Sequence, residues 1–332
     1  MTTCLPISET RLFREKGVTL QDSFQTRSPR MRAFLDRLAP YAETEKPILL
    51  LGEPGTGKTF LALALHNASP RAAGPFVVAN GADTDRDLFR SEWFGHERGA
   101  FTGASESHAG HLERADKGTL FIDEVTELPR SAQARLLLAL EYRQAVRVGG
   151  LKPVPFDCRC LYATNRTIQE IASRPRRWRT DFLSRLGMTH FTVPPLRERL
   201  EDLPDLVERF LLSLSRRDGL SAPPRVPAQT LRALAERPWV ANLRELRATL
   251  DSALPVCDGG PLLPEHLPPP LLVHHAEGPL LTLDQVEETA VERALAVCLG
   301  NKKDAARRLG ISRQRLYRIM TRIERSTPEP KA

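Results

Sequence analysis

Three features of the chain predict an α/β fold on a parallel sheet, followed by a helical subdomain and a small all-α module. Short apolar runs, Ile48 to Leu51, Phe76 to Val78, Leu120 to Ile122 and Leu161 to Ala163, alternate with longer helical patterns, as parallel strands covered by helices require. Beyond Pro194-Pro195 the strand signals stop, and three amphipathic stretches follow. At the far end, basic residues concentrate on a helical pattern behind a proline-rich segment.

The 332 residues, 41% of them hydrophobic, suffice for two or three packed units. No run approaches the roughly 20 apolar residues that span a bilayer, and Met1 to Thr10 has no basic stretch leading into an apolar core. The expectation is a cytoplasmic protein with no membrane partner. Five cysteines, Cys4, Cys158, Cys160, Cys257 and Cys298, are odd in number and scattered. Cys158 and Cys160 are read as alternate strand residues on opposite faces, hence reduced thiols rather than a disulfide or a shared metal site. The net charge of +7 has a location: residues 301–332 carry ten Lys or Arg against three Asp or Glu, while the first 300 residues balance at 38 of each. A neutral body with a basic end implies that one small module meets a polyanion.

In chain order, residues 1–21 are polar and weakly patterned, and folding is expected to start near Asp22. Met31, Phe34, Leu35 and Leu38 then fall at helical spacing. The α/β unit is assigned to 22–195 and the helical subdomain to 196–254, with helices over Leu203 to Leu214, Ala228 to Glu236 and Asn242 to Leu254. Seven prolines between Pro255 and Leu280 predict an extended spacer over 255–281, and the last module is assigned to 282–326.

The strongest chemical signal is Gly52-Glu53-Pro54-Gly55-Thr56-Gly57-Lys58-Thr59, between the strand Ile48 to Leu51 and a helix from about Lys58. This is the P-loop pattern in its required context. Its glycines let the backbone curl so that N–H groups face phosphates, Lys58 reaches the β and γ oxygens, and Thr59 offers a hydroxyl to Mg²⁺. ATP and Mg²⁺ are the expected cofactors. The run Gly118-Thr119-Leu120-Phe121-Ile122-Asp123-Glu124 supplies the acids such a site needs: Asp123 for the metal shell and Glu124 to orient the attacking water.

One further segment makes the chain resemble a known family. Ser91-Glu92-Trp93-Phe94-Gly95-His96-Glu97-Arg98 leads into Gly99-Ala100-Phe101-Thr102-Gly103-Ala104, and the last six residues match the GAFTGA loop of bacterial sigma-54-dependent transcription activators. The resemblance implies an AAA+ fold with a helical lid, and a loop that touches the sigma factor on RNA polymerase. The residues agree with that use, since small residues around the aromatic Phe101 and the hydroxyl of Thr102 make a flexible tip whose exposed apolar group calls for a partner.

The same resemblance, which covers about Asp22 to Leu254 and the C-terminal end, implies further roles. Asn80 would bond Glu124 and relay the nucleotide state. Asn165, in Ala163-Thr164-Asn165-Arg166, is similar to the first sensor near the γ-phosphate, or alternatively caps a strand end. Arg179 and Arg185, in Trp178 to Leu186, match arginine fingers that act on the ATP of the next subunit, so a homo-oligomer, hexameric in the family, is implied. Their neighbours Arg174, Arg176 and Arg177 leave open a solvated basic surface. Pro195-Leu196-Arg197-Glu198-Arg199 resembles the junction into the lid, and Arg244, in Asn242-Leu243-Arg244-Glu245-Leu246, the second sensor. Three departures stand out: Val240-Ala241 replaces Pro-Gly before Asn242, Pro54 stands where Ser is common, and Thr59 where Glu is common. About 21 residues ahead of the ATPase unit are too few for the sensory domain many relatives carry, so control is expected from expression, from a trans-acting regulatory protein, or not at all.

The last module resembles a Fis-type helix-turn-helix. Leu283, Val286, Val291, Ala294, Leu295 and Leu299 form an apolar helical face. Ala305, Ala306 and Leu309 would then pack a first helix, Gly310 would turn the chain, Ile311 would fill the gap and Ser312 would cap the recognition helix. Arg313, Gln314, Arg315, Tyr317 and Arg318 would face DNA. Two readings remain: an ATP-driven activator that binds enhancer-like DNA and remodels sigma-54 polymerase, or a DNA-binding regulator that holds nucleotide only as a ligand. Intact Lys58, Asp123, Glu124, Arg179 and Arg185 favour the first.

Overall fold

The computed structural model describes residues 19–82, 86–173, 177–187, 189–270, 287, 290, 291, 294, 295, 298 and 301–326; for 86–88, 185, 187, 305 and 321–326 it describes the backbone alone. The chain divides into two compact units, Met1–Leu271 and Leu272–Ala332.

In the first unit, the described chain opens with α1 (Leu20–Ser23), two residues ahead of the expected point. Thr19 and Asp22 close a capping box there: the Thr19 hydroxyl accepts from Asp22 N at 3.2 Å, and the Asp22 carboxylate accepts from Thr19 N at 2.9 Å. The helix α2 (Pro29–Leu38) has proline at its first position and buries Met31, Phe34, Leu35 and Leu38, the periodic set read from the sequence.

The sheet then alternates with helices: β1 (Ile48–Leu51), α3 (Lys58–Asn67), β2 (Phe76–Asn80), α4 (Arg86–Phe94), α5 (His111–Arg114), β3 (Thr119–Asp123), α6 (Arg130–Tyr142), the hairpin β4 (Gln144–Val146) and β5 (Pro153–Pro155), β6 (Arg159–Thr164), α7 (Ile168–Ala172), α8 (Thr180–Gly187) and β7 (His190–Thr192). Five of these strands form one sheet in the order β2-β3-β6-β1-β7, with every pairing parallel. Alternate strand residues serve opposite cores, as period-2 geometry demands. Leu49, Leu51, Leu120, Ile122 and Tyr162 pack with α4, α6 and α8 residues, whereas Ile48, Leu50, Phe121, Leu161 and Ala163 pack with α2 and α3 residues. Burial on both faces explains why the strands read as unbroken apolar runs.

Two strand-level expectations change. The short strand β7 and the β4–β5 hairpin escaped the sequence reading because three-residue strands carry too little pattern. Cys158 and Cys160 do not point to opposite faces: residues two apart on a strand share a face. Both are free thiols, with Cys160 buried in the core on the α6 side and Cys158 packed against that same core.

The lid contains α9 (Leu203–Arg217), α10 (Ala228–Ala235) and α11 (Asn242–Ala253) around fully buried Trp239. Residues 255–270 are not the extended spacer their prolines suggested. Cys257 and Leu262 belong to the lid core, the Thr230 hydroxyl donates to Leu262 O at 2.7 Å, and Leu262 N donates to Arg225 O at 2.9 Å. Residues 271–281 of that expected spacer lie outside the described residues. Among the described residues, no helix is long and apolar enough to cross a membrane.

In the second unit, helices Lys302–Arg308 and Arg313–Ser326 meet around Val291, Ala306, Leu316 and Ile319. Leu283, Val286 and Leu299 of the expected first helix lie outside the described residues, as does the side chain of Ala305.

One buried carboxylate docks the entry segment on the lid. Asp202, 4% exposed, accepts from the Thr26 hydroxyl at 2.8 Å, from Arg27 N at 2.7 Å and from Ser28 N at 3.0 Å. Asp202→Ala strands these donors and is expected to lower the unfolding free energy by about 2 to 3 kcal/mol. Urea denaturation measures this loss, and Asp202→Asn, which keeps a carbonyl acceptor, should lose less than half as much.

Candidate functional site

The strand order brings the expected site residues together. The ends of β3, β6 and β1 are neighbours, so Asp123 and Glu124, Asn165, and the phosphate loop Gly52 to Thr59 gather at one carboxyl edge of the sheet, where open α/β sheets bind ligands.

The loop is held through its carbonyls, by its own lysine and by residues beyond it. Gly52 O and Glu53 O accept from Lys58 Nζ at 2.8 and 3.2 Å. Pro54 O accepts from Asn242 Nδ2 at 3.1 Å, Gly55 O from Leu243 N at 2.9 Å, and Thr56 O from Arg199 Nη2 at 2.8 Å. Five consecutive acceptors are thus engaged, and what the loop offers a ligand is its N–H donors, the groups a phosphate needs. Gly55, at φ +77°, has no alternative: a Cβ there would sit 2.2 Å from Ala241 O and 3.0 Å from Arg244 Cβ. Helix α11 therefore abuts the loop, with Arg244 close enough to Lys58 to repel its charge.

Asn242 makes this contact. Its backbone is left-handed at φ +53°, its Oδ1 accepts from Leu196 N at 2.7 Å, and its Nδ2 also donates to Glu53 Oε2 at 3.1 Å. Glu53 in turn forms a two-pronged pair with Arg197, at 2.6 and 2.7 Å. The replacement of Pro-Gly by Val240-Ala241 leaves the turn closed, because Asn242 N donates to Trp239 O at 3.0 Å and Trp239 and Asn242 take the positive φ values. Asn242, Arg197 and Arg199 belong to motifs legible in the sequence, but their part in the site is not. Their roles depend on partners about 140 to 190 positions away.

Charges in the site are mutually tuned. Burial lowers the Lys58 amine from its ordinary value, opposed by attraction to Asp123 and Glu124. Burial raises the Glu124 carboxyl, opposed by Lys58. Glu124 occupies left-handed backbone at φ +48°, and its Oε2 accepts from Asn165 N at 3.3 Å. The Asn80–Glu124 bond expected from the family resemblance gives way to a local one: Asn80 Oδ1 accepts from Ala82 N at 3.1 Å. Asn80 nonetheless lies beside Asp123 in the β2–β3 register.

The segment Gly99 to Ala104 forms a closed loop between α4 and α5. Gly99 N donates to Ala104 O at 2.8 Å, and Ala104 N donates to Phe101 O at 3.0 Å. Gly99 and Gly103 have φ of +81° and +104° with open space where a Cβ would be, so backbone conformation rather than room selects glycine. Phe101 is 45% exposed and Thr102 is exposed. The base is anchored to the β4–β5 hairpin: Arg147 pairs with Glu113 at 2.7 Å and Glu97 at 3.2 Å, and His96 packs edge-on against Phe101 at 5.0 Å.

Arg179 lies just ahead of α8, half-exposed and paired with Asp181 at 2.8 and 3.1 Å. Arg185 is on α8, and its side chain lies outside the described residues, as do Arg174 and Arg176. Sequence reading missed Gln133, which is fully buried on α6 and hydrogen-bonded to the backbone of Arg177 and Arg179. The available signal was a polar residue in i, i+3, i+4 register with Leu136 and Leu137.

In the second unit, Gly310 turns at φ +66°, and the Ser312 hydroxyl accepts from Arg315 N at 3.2 Å, capping the second helix. Arg313, Gln314, Arg315, Tyr317 and Arg318 are exposed on that helix. Arg315 pairs with Glu287 at 2.5 Å, and Lys302 lies over the Tyr317 ring at 5.1 Å.

Comparisons with known proteins follow the same division. A model of the sigma-54 interaction domain matches residues 24–192, one of the AAA+ ATPase lid domain matches 197–281, and one of the Fis family of bacterial regulatory proteins matches 282–322. The chain is 37% identical over 331 residues to the DNA-binding transcriptional regulator NtrC of Bradyrhizobium sp., covering 87% of this chain and 67% of that protein. It is 37% identical over 301 residues to the transcriptional regulatory protein ZraR of Klebsiella oxytoca, covering 89% and 68%. The structure of NtrX from Brucella abortus in complex with ATP aligns over 96% of this chain and 72% of that one, with a TM-score of 0.68 and 28% identity. Agreement across three consecutive segments makes the chain a member of the sigma-54-dependent transcriptional activators, with an AAA+ ATPase domain, its lid and a Fis-type DNA-binding helix-turn-helix.

Proposed function

We propose that this activator binds enhancer-like DNA through its last module, assembles into a ring, hexameric by family resemblance, and uses ATP hydrolysis to remodel sigma-54 RNA polymerase. The working division is ATPase unit 22–195, lid from 196, and DNA-binding module 282–326. The observation that carries the reading is the gathering of Lys58, Asp123, Glu124 and Asn165 on adjacent strand ends of the same domain that exposes Phe101.

The phosphate loop would hold the triphosphate by its N–H groups while Lys58 turns from Gly52 O and Glu53 O to the β and γ oxygens. The hydroxyl of Thr59 and the carboxylate of Asp123 are the oxygen donors Mg²⁺ takes, and the ion, when bound, neutralises charge on the phosphates. Glu124, desolvated yet next to Lys58, would orient the attacking water, with Asn165 holding its Oε2. Arg179 and Arg185 would complete the site of the next subunit, and Arg244 would report nucleotide to the lid. Asn80 stays a candidate relay through its register with Asp123. Gly99, Ala100, Phe101, Thr102, Gly103 and Ala104 would contact the sigma factor.

Three outcomes follow for the purified protein. Lys58→Ala and Asp123→Ala should each reduce phosphate release to background, and turnover at the parent rate in either would remove the proposed site. Arg185→Ala should retain ATP binding in an equilibrium titration while losing on the order of 10³-fold or more in turnover, the scale of an arginine finger. Thr102→Ala and Phe101→Ala should hydrolyse ATP and bind DNA as the parent does but fail in open-complex formation at a sigma-54 promoter. Full activation by both variants would sink the polymerase-contact reading.

A further inference from the structure

The segment that carries Arg179 is pinned from two directions. From α6, Gln133 donates through Nε2 to Leu128 O at 2.9 Å and Arg177 O at 3.2 Å, and its Oε1 accepts from Arg179 N at 3.1 Å. Trp178, between those two residues, is 2% exposed. From the turn after β3, Glu127 divides its carboxylate. Its Oε1 accepts from Arg166 at 3.0 and 3.3 Å, and its Oε2 accepts from Arg177 Nη2 at 2.6 Å.

The position of Glu127 gives this fork its meaning. It closes the short 3-10 turn Val125–Glu127, and its N–H donates to Glu124 O at 2.8 Å. Arg166 directly follows Asn165, whose N–H donates to Glu124 Oε2, and Arg166 N donates to the Thr164 hydroxyl, itself 2.5 Å from that of Thr126. One carboxylate therefore touches the strand end that senses nucleotide and the segment that presents Arg179, from a turn hydrogen-bonded to Glu124. All three charged side chains are between 25% and 39% exposed, a range in which ion pairs contribute little to stability. What such a fork supplies is geometry.

We infer that Glu127 is a positioning residue that ties a subunit's own nucleotide site to the arginine it offers its neighbour. This rests on the reading of Arg179 as an arginine finger acting in trans. A shift of the Glu124 turn moves Glu127, and through Arg177 it moves the backbone on which Arg179 is mounted.

The test uses the full chain and mixed oligomers. Glu127→Gln keeps the side-chain volume and removes the charge. Alone, it should keep the KM for ATP within about twofold and lower kcat by about 100-fold, the scale of a slightly displaced catalytic group. Mixed with an excess of Lys58→Ala subunits, which cannot turn over ATP but bring intact Glu127 and Arg179, it should regain turnover, as Arg179→Ala should in the same mixture. Rescue of Arg179→Ala without rescue of Glu127→Gln would show that Glu127 serves only its own site, overturning the inference and leaving the trans finger standing. Rescue of neither would remove the trans finger and the inference with it. Should Glu127→Gln fail to fold by thermal melting, Arg177→Ala removes the other half of the same pair and is read identically.

Discussion

The outward commitment of the phosphate-loop carbonyls is the constraint on which the rest of the ATPase unit depends. From Gly52 to Thr56 every peptide oxygen accepts a hydrogen bond; Lys58 Nζ serves the first two, and the donors to the other three, Asn242 Nδ2, Leu243 N and Arg199 Nη2, come from the lid or the junction into it. The loop's curl is therefore a joint product of the sheet and the lid rather than a property of its glycines alone. Burial of Arg199 lowers its pKa, and the same burial makes its bond to Thr56 O strong by excluding water. A lid that moves against the sheet must break or carry these bonds, so lid position and loop shape cannot vary independently.

The exposed Gly99 to Ala104 loop obeys the opposite logic. Its tip residue Phe101 is half-exposed and rests edge-on against His96, while its base is braced by Arg147 between Glu97 and Glu113. The two positive-φ glycines let the chain reverse without packing partners. A stiff base under a half-exposed aromatic suits a contact made with another molecule.

Much of this was legible in the sequence because the signals are local. The P-loop, the acidic pair after an apolar strand and the Gly99 to Ala104 loop each occupy fewer than ten consecutive residues, and strands buried on both faces announce themselves as apolar runs. What escaped reading depends on distant partners. Asn242 reaches Glu53 and Leu196, Gln133 reaches Arg177 and Arg179, and no periodicity reports such pairs. The prolines of residues 255–270 signalled a spacer, but proline disfavours only the helix interior and not burial, and Leu262 between its prolines is fully buried in the lid. Cys158 and Cys160 share a core because strand alternation returns to the same face every second residue, and the Asn80 side chain is taken up by the backbone of Ala82, a local partner that no motif indicates.

The pair between Arg315 and Glu287 carries a consequence for the energetics of DNA contact. A lysine or arginine surrounded only by water meets a phosphate by releasing a condensed cation from the duplex, which makes affinity fall with salt. Arg315 already holds a carboxylate at 2.5 Å. Meeting a phosphate through this residue is an exchange of one anion for another, and the displaced Glu287 is left facing a polyanion. Were Arg315 to meet DNA, the module would bring both the donor and, in Glu287, a competitor for that donor, and its grip on any sequence would depend on how well the duplex geometry replaces a carboxylate of the same module.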